Sequence, residues 1–271
     1  MTSPGDTYIH GHSDSVLRSH RWRTAENSAA YLLPHLSEGM RLLDVGCGPG
    51  TLTVDLARRV GPDGTVVGVD VSAAVVHEAT AHATAEGAAN VTFHAGDFLA
   101  LELAEGSFDV VHAHQLLQHL RDPVAALAAM ARLARPGGIV AARDSDYAAF
   151  TWWPEVPALS HWQDLYRRVA RANGGEPDAG RRLLSWAHAA GLDDVIATSS
   201  TWTFATPEDR AWWGGMWADR VVGSAIGERA IELGLAGRDD LRRLAAGWRT
   251  WAAAEDGWFG VLHGEIRCTV S

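Results

Sequence analysis

Short runs of almost continuous apolar residues alternate with longer amphipathic stretches through the first half of the chain. Residues 40–45, 65–69, 91–94, 108–113 and 139–143 carry the short runs. All five read as strands, and the nearly continuous run at 40–45 is typical of one covered on both faces, as in a parallel sheet. Between them, 51–60, 72–86 and 122–135 show helical spacing. Ser72 is placed to cap the second of these, and Asp122-Pro123 opens the third with proline in its first turn. Pro136-Gly137-Gly138 turns the chain into the fifth strand. Upstream, 13–36 reads as helical, with Pro34 as an interruption. Such alternation predicts right-handed crossovers and helices on both faces of the sheet. Ligands of such sheets bind beyond the carboxyl ends of the strands, so the residues just after each strand are the ones to inspect.

Past Asp144 the pattern changes. Residues 159–172 and 181–190 read as helices and 195–204 as a sixth strand. Residues 207–254 read as helical, broken near Gly234 and Gly237, before a seventh strand at 258–270. Eleven of the 12 tryptophans lie beyond position 150. Trp152, Trp153, Trp212, Trp213 and Trp217 are candidates to line an apolar cavity roofed by the helical stretch, set against the ordinary use of tryptophan as core. The expected division is an N-terminal helical segment at 1–36 and one α/β domain at 37–271, with a helical insert at about 205–257.

Composition narrows the function classes. The chain has 271 residues, 47% of them hydrophobic, enough for a sizeable core. Its net charge of -10 argues against a nucleic-acid partner. All 23 basic residues are arginines, so no Schiff-base or general-base lysine exists. No apolar run is long enough for a membrane span, and the stretch from Met1 to His10 has no apolar signal region. A cytoplasmic location is expected. Cys47 and Cys268 are far apart and form no metal or redox motif. His10, His12, His112 and His114 come in pairs two apart, without helical ligand spacing or nearby carboxylates, so no metal is expected.

The chemistry concentrates in four segments. Leu42-Leu43-Asp44-Val45-Gly46-Cys47-Gly48-Pro49-Gly50-Thr51 sits between a strand and a helix. Its glycines let the backbone turn tightly and approach a ligand, and the following helix start offers free N–H groups. A dinucleotide fingerprint requires glycine where Thr51 stands; here the glycines alternate at 46, 48 and 50. Asp70 ends the second strand, about 20 residues further on, where an acid can accept from both ribose hydroxyls. Gly96-Asp97-Phe98 follows the third strand. Phe108-Asp109-Val110-Val111 leads into His112-Ala113-His114-Gln115-Leu116-Leu117-Gln118-His119, and Leu133-Ala134-Arg135-Pro136-Gly137-Gly138 closes the series.

In this order, over about residues 40–144, these motifs resemble class I S-adenosylmethionine-dependent methyltransferases. The branch resembled contains the ubiquinone and menaquinone biosynthesis methyltransferases and many small-molecule methyltransferases. The resemblance implies a Rossmann-like, seven-stranded, mostly parallel sheet with helices on both faces. The pattern along the chain, outside the resemblance, adds an N-terminal helical lid and a helical insert between the last two strands. It implies S-adenosyl-L-methionine, bound by Asp44, Gly46, Cys47, Gly48, Gly50, Thr51, Asp70, Val71, Gly96, Asp97, Phe98, His114 and Gln115, with Asp97 and Phe98 around adenine. It also implies a general base at His119, paired with Asp144 or Asp146 at the end of strand five. Tyr8, His12, His20 and Arg23 are placed to close over the methionine end of the cofactor.

Departures narrow the type. No Asn/Asp-Pro-Pro-Tyr motif follows strand four, no lysine serves a metal-dependent catechol type, and two cysteines are too few for the arsenite type. The expected function is methyl transfer to a small, apolar or aromatic metabolite. Two other readings stay open: a non-catalytic S-adenosylmethionine-binding protein, and an NAD-linked oxidoreductase. Thr51 and the absence of a Tyr-x-x-x-Lys pair count against the latter. The acceptor atom and the oligomeric state are not legible.

Overall fold

The computed structural model describes residues 22–271. Its elements in chain order are α1 (Ala25–Ser28), β1 (Arg41–Val45), α2 (Thr51–Val60), β2 (Thr65–Asp70), α3 (Ala73–Ala85), β3 (Val91–Ala95), β4 (Phe108–His114), α4 (Pro123–Leu133) and β5 (Ala134–Ser145). The second half adds β6 (Thr151–Trp153), α5 (Pro157–Ala172), α6 (Leu183–Ala189), β7 (Asp194–Phe204), α7 (Pro207–Gly223), α8 (Ala225–Glu232), α9 (Arg238–Ala253) and β8 (Trp258–Thr269).

The sheet runs β3-β2-β1-β4-β5-β8, with β7 on the far side of β8. β1 to β5 are parallel, and β8 is antiparallel to both β5 and β7. The chain order reverses between β1 and β4, which places the ligand crevice at their carboxyl ends. The expected α/β sheet is thus present, with eight strands among the described residues rather than seven. The extra strand has a local cause. β8 starts five residues before its last pairing with β5, at Ser145–His263, and Thr151–Trp153 pairs with part of that overhang.

Burial explains the apolar runs. In β1, Leu42 packs beneath α1 and α2, while Leu43 and Val45 face the opposite way toward α4 and α6. Both faces are covered, so both parities are mainly apolar, and the one buried polar residue of β1, Asp44, is hydrogen-bonded. Helix α2 begins and ends where its spacing predicts and buries Leu52, Leu56 and Val60 on one stripe. Ser72 caps α3 by accepting from the Val75 amide, and Asp122 caps α4 from the Ala125 amide.

The N-terminal helix differs from its expectation. Of 13–36, positions 13–21 lie outside the described residues, as do Tyr8, His12 and His20. The rest forms only the single turn α1 and a 3-10 turn at Leu33–His35 that contains Pro34. Proline lacks the N–H a continuing helix would need. The helical stretch between β7 and β8 breaks at Ser224 as well as before α9. The extended backbone of Ser224 ends α7 and starts α8, and its hydroxyl donates to the Arg220 carbonyl.

Candidate active site

The loop after β1 is built by two strands. The amides of Gly46 and Cys47 both donate to the Val69 carbonyl at the end of β2. Gly46, Gly48 and Gly50 have φ of 72, 55 and 80°, a left-handed region open to glycine at little cost. Gly50 stands at the start of α2, and no side chain caps that helix. A Cβ on Gly46 would come within 3.0 Å of Leu116 Cδ1, so the turn after β4 lies directly against the loop.

Asp70 joins this loop to the end of β2. One carboxylate oxygen accepts the Gly48 amide at 3.1 Å and the other the Ser72 amide at 3.0 Å. Two backbone donors fix its orientation and leave lone pairs over for a ligand's hydroxyls. Val71, beside it, is 70% exposed. Asp97 is exposed after β3 and accepts the Leu99 amide.

Several candidates are placed differently from their expectation. Asp44 is buried, with one oxygen on His112 Nδ1 at 2.8 Å and the other on the Thr53 hydroxyl at 2.6 Å. It braces the loop from below and offers no free oxygen. Cys47 is buried, and burial, aided by Asp44 and Asp70, pushes its thiol well up. Phe98 is buried in the core with Val69 and Val111, so its ring is no open adenine platform. Asp144 is fully buried. One oxygen accepts the Gln118 amide at 3.1 Å, and the other has no hydrogen bond. It therefore holds the turn carrying His119 instead of pairing with the His119 ring. Burial, against the Gln118 and Leu117 amides, pushes its carboxyl up to about 7. Asp146 is occupied by a two-pronged bond from Arg181.

His119 follows β4 in a 3-10 turn, and its Nε2 lies 3.3 Å from Gln118 Nε2. Burial, with Arg23 adding, pulls its imidazole down to about 3. His114 is buried and close to Trp202 and His263, with neither ring nitrogen hydrogen-bonded.

The structure also brings to the candidates His114 and Gln115 residues that the motifs did not single out, Arg143, Ser200, His263 and Glu265. His114, Arg143, Glu265, His263 and Ser200 share one face of β4, β5, β8 and β7, as strand alternation and register dictate. Arg143 donates to Ser200 and Glu265, while the Thr198 and Ser200 hydroxyls also donate to Glu265. Burial lowers the Arg143 guanidinium to about 10. Gln115, directly after β4, accepts from Arg23 Nη2 at 3.0 Å and meets His263 Nε2 at 2.9 Å. The signal was present in sequence: these are polar residues at covered positions of apolar strands, which require partners.

The tryptophans that suggested a cavity form a core instead. Trp213 and Trp217 are buried with Trp162, Trp248, Trp251 and Phe259 between α5, α7, α9 and the start of β8. Trp162 lies 4.5 Å from Trp217 and 4.7 Å from Trp248, edge to face. Trp152 and Trp212 pack against this cluster, and Trp153 is exposed with its N–H on Asp256. Among the described residues, no group of histidine, cysteine and acid side chains could hold a metal.

The family described as a methyltransferase domain matches residues 36–191. An uncharacterized methyltransferase of Schizosaccharomyces pombe is 33% identical over 279 residues, 98% of each chain. A protein of Aspergillus luteorubrus named as a probable methyltransferase is 31% identical over 285 residues, 97% of this chain and 98% of its own. Among solved structures, phosphoethanolamine N-methyltransferase 2 of Haemonchus contortus, in complex with phosphomonomethylethanolamine and S-adenosylhomocysteine, superposes with a TM-score of 0.59 at 18% identity. The likeness covers 95% of this chain and 57% of that one, and it is a likeness of fold.

Proposed function

The chain belongs to the methyltransferase-domain family and is an S-adenosylmethionine-dependent methyltransferase of small molecules, and on that premise we propose that the Gly46–Gly50 turn and Asp70 hold the donor while the turn from Gln115 to His119 faces the acceptor. Family membership sets aside the oxidoreductase reading. The observation that carries the assignment is the 3.1 Å bond from the Gly48 amide to Asp70, which fuses the glycine turn and the ribose acid into one cradle. A sulfonium donor supplies the electrophilic methyl group; the protein's part is to hold, orient and exclude water. Positioning of this kind is worth roughly 7–11 kcal/mol.

In this reading Asp70 accepts from the ribose hydroxyls with its remaining lone pairs. Exposed Val71 and Asp97 flank the adenine, Asp97 as acceptor for its amino group. Gly96 lets the chain turn between β3 and Asp97. Asp44 and Cys47 act from beneath the loop, and Thr51 opens α2. His114 and Gln115 lie at the methionine end, and Arg23, bonded to Gln115, closes over it. His119 is the candidate base. Burial pulls its imidazole down to about 3 and holds the ring neutral, so taking a proton from a hydroxyl, an amine or an acidic carbon requires its basicity to rise toward the working pH in the loaded site. Asp144 orients that turn through the Gln118 amide.

A net charge of -10 supports a metabolite over a nucleic acid as acceptor. Two unpaired thiols support a reducing, cytoplasmic setting. No helix among the described residues is long and apolar enough to cross a membrane. The test is calorimetric titration with S-adenosylmethionine, S-adenosylhomocysteine and NAD, on the wild type and Asp70→Ala. Micromolar binding of the first two, weakened roughly 10- to 150-fold in the variant, is expected. Undiminished binding by Asp70→Ala would remove Asp70 from the donor site. Formation of S-adenosylhomocysteine on turnover separates the enzyme from a mere donor-binding protein.

A further inference from the structure

Among the described residues, Gln115 is the single non-glycine with positive φ, at 51°. That backbone is unfavourable for a residue with a side chain and persists only where its surroundings enforce it. Three bonds do so here. The Gln115 amide donates to the Arg143 carbonyl at 2.7 Å, its side-chain oxygen accepts from Arg23 Nη2, and its side-chain nitrogen meets His263 Nε2. The next residue, Leu116, packs on Gly46, so the strained turn bears directly on the glycine loop. Arg23 and His263 both lie outside residues 36–191, the part the family shares.

The donors and acceptors fix the direction of this chain. A guanidinium only donates, so the Gln115 oxygen must face Arg23. The Gln115 amino group, which also only donates, then faces His263. His263 Nε2 must therefore accept, which makes the ring neutral with its proton on Nδ1. Burial, reinforced by Arg143 and Arg23, keeps the imidazole neutral, and Trp202, 4.4 Å away between ring centroids, holds it in place.

We propose that His263 is a positioning residue for methyl transfer: with Arg23 it locks the Gln115 amide, and through it the left-handed turn that borders the donor loop. His263 need not touch the donor itself. The proposal rests on the donor assignment above and deepens it, by making the C-terminal strand and the N-terminal segment part of one donor site.

The experiment is a double-mutant cycle read by S-adenosylhomocysteine affinity. His263→Phe keeps the ring's bulk and removes the acceptor. Gln115→Gly permits the left-handed turn but removes the amide that locks it. Each alone should weaken binding about 10-fold, and adding His263→Phe to Gln115→Gly should cost nothing more. His263→Gln, which restores an acceptor, should recover most of the affinity. If His263→Phe fails to fold, Arg23→Met runs the same cycle from the other partner, with the same loss of effect expected in the Gln115→Gly background. Equal losses in both backgrounds, or none in either, would overturn the proposal. A wild-type chain that binds no S-adenosylhomocysteine would overturn the donor assignment instead.

Discussion

Asp44 on β1 and His112 on β4 stand directly opposite one another in the sheet, joined through Oδ1 and Nδ1 at 2.8 Å with both side chains buried. The second Asp44 oxygen takes the Thr53 hydroxyl of α2, so one carboxylate ties two strands to the helix under the donor loop. Asp44→Ala leaves His112 and Thr53 without that partner, at about 1–3 kcal/mol each. The loss should be on the order of 4 kcal/mol, which lowers the melting temperature by roughly 8 °C. Urea and thermal unfolding check this. A midpoint within about 2 °C of wild type would mean the carboxylate is not the tie.

Gly50 tests the tightness of the donor loop. A Cβ there would lie 2.9 Å from both Ala79 Cβ and Phe93 Cζ, at φ 80°. Gly39 has a nearly identical φ of 83° but nothing within 4 Å. Gly39→Ala should therefore show backbone strain alone, roughly 1–2 kcal/mol, and leave S-adenosylhomocysteine binding intact. Gly50→Ala adds the clash, a further 1–3 kcal/mol or so, and should weaken binding more than about tenfold because the loop and the start of α2 must shift away from α3 and β3. Equal effects of the two variants on both readouts would refute the steric account.

The two thiols should be silent in the folded protein. Cys47 is buried against Gly68, and burial, then Asp44 and Asp70, raises its thiol well above the ordinary range. Burial, then Asp194, pushes Cys268 up to about 11. Since thiolate is the reactive form, a disulfide reagent at pH 8 should register neither until guanidinium unfolds the chain, and both afterwards. Prompt reaction of Cys47 in native buffer would show that the glycine loop opens on the timescale of the assay, and prompt reaction of Cys268 that β8 does.

Sequence patterning reached the parallel half of the sheet because its central strands β1 and β4 are covered on both faces, which favours nearly continuous apolar runs such as that of β1. The glycine turn after β1 was legible for a similar reason. Backbone that must turn left-handed selects glycine, and an acid at the end of β2 is visible in one dimension. What patterning missed depends on partners distant in the chain. Phe98 reads as an adenine platform until β4 and α4 are seen to bury it. Asp144 reads as the partner of His119 until its oxygen is found on the Gln118 amide. His263 carries no motif at all; only the antiparallel return of β8 brings it to Gln115 across 148 positions. The tryptophans misled because an indole fits a core as well as a pocket wall, and composition does not distinguish the two.

The buried ionisable groups set the pH response. His114 and His263 are held neutral far below their usual range, chiefly by burial, with Arg23 and Arg143 adding. Below about pH 6.5 the unfolded chain protonates both rings while the native fold resists, so each contributes stability that is lost as pH falls. Asp144 acts in the opposite sense. With its carboxyl at about 7, the native state keeps a proton that the unfolded chain releases above about pH 4. Its contribution is therefore favourable at low pH and lost as pH rises toward 7. Between about pH 4 and 6.5 three histidines, His114, His263 and His119 with its imidazole at about 3, oppose one acid, leaving two net protons taken up on unfolding and a slope of about 2.7 kcal/mol per pH unit. Stability should fall with acid across that window. Asp144→Asn removes the opposing group, so its slope should steepen by about half, while above pH 7 the variant should be at least as stable as wild type. Urea midpoints at pH 5, 6, 7 and 8 decide it. A flat wild-type profile would mean that His114 and His263 protonate freely in the native fold, and an unchanged slope in Asp144→Asn would mean that the Asp144 carboxyl is already ionised there.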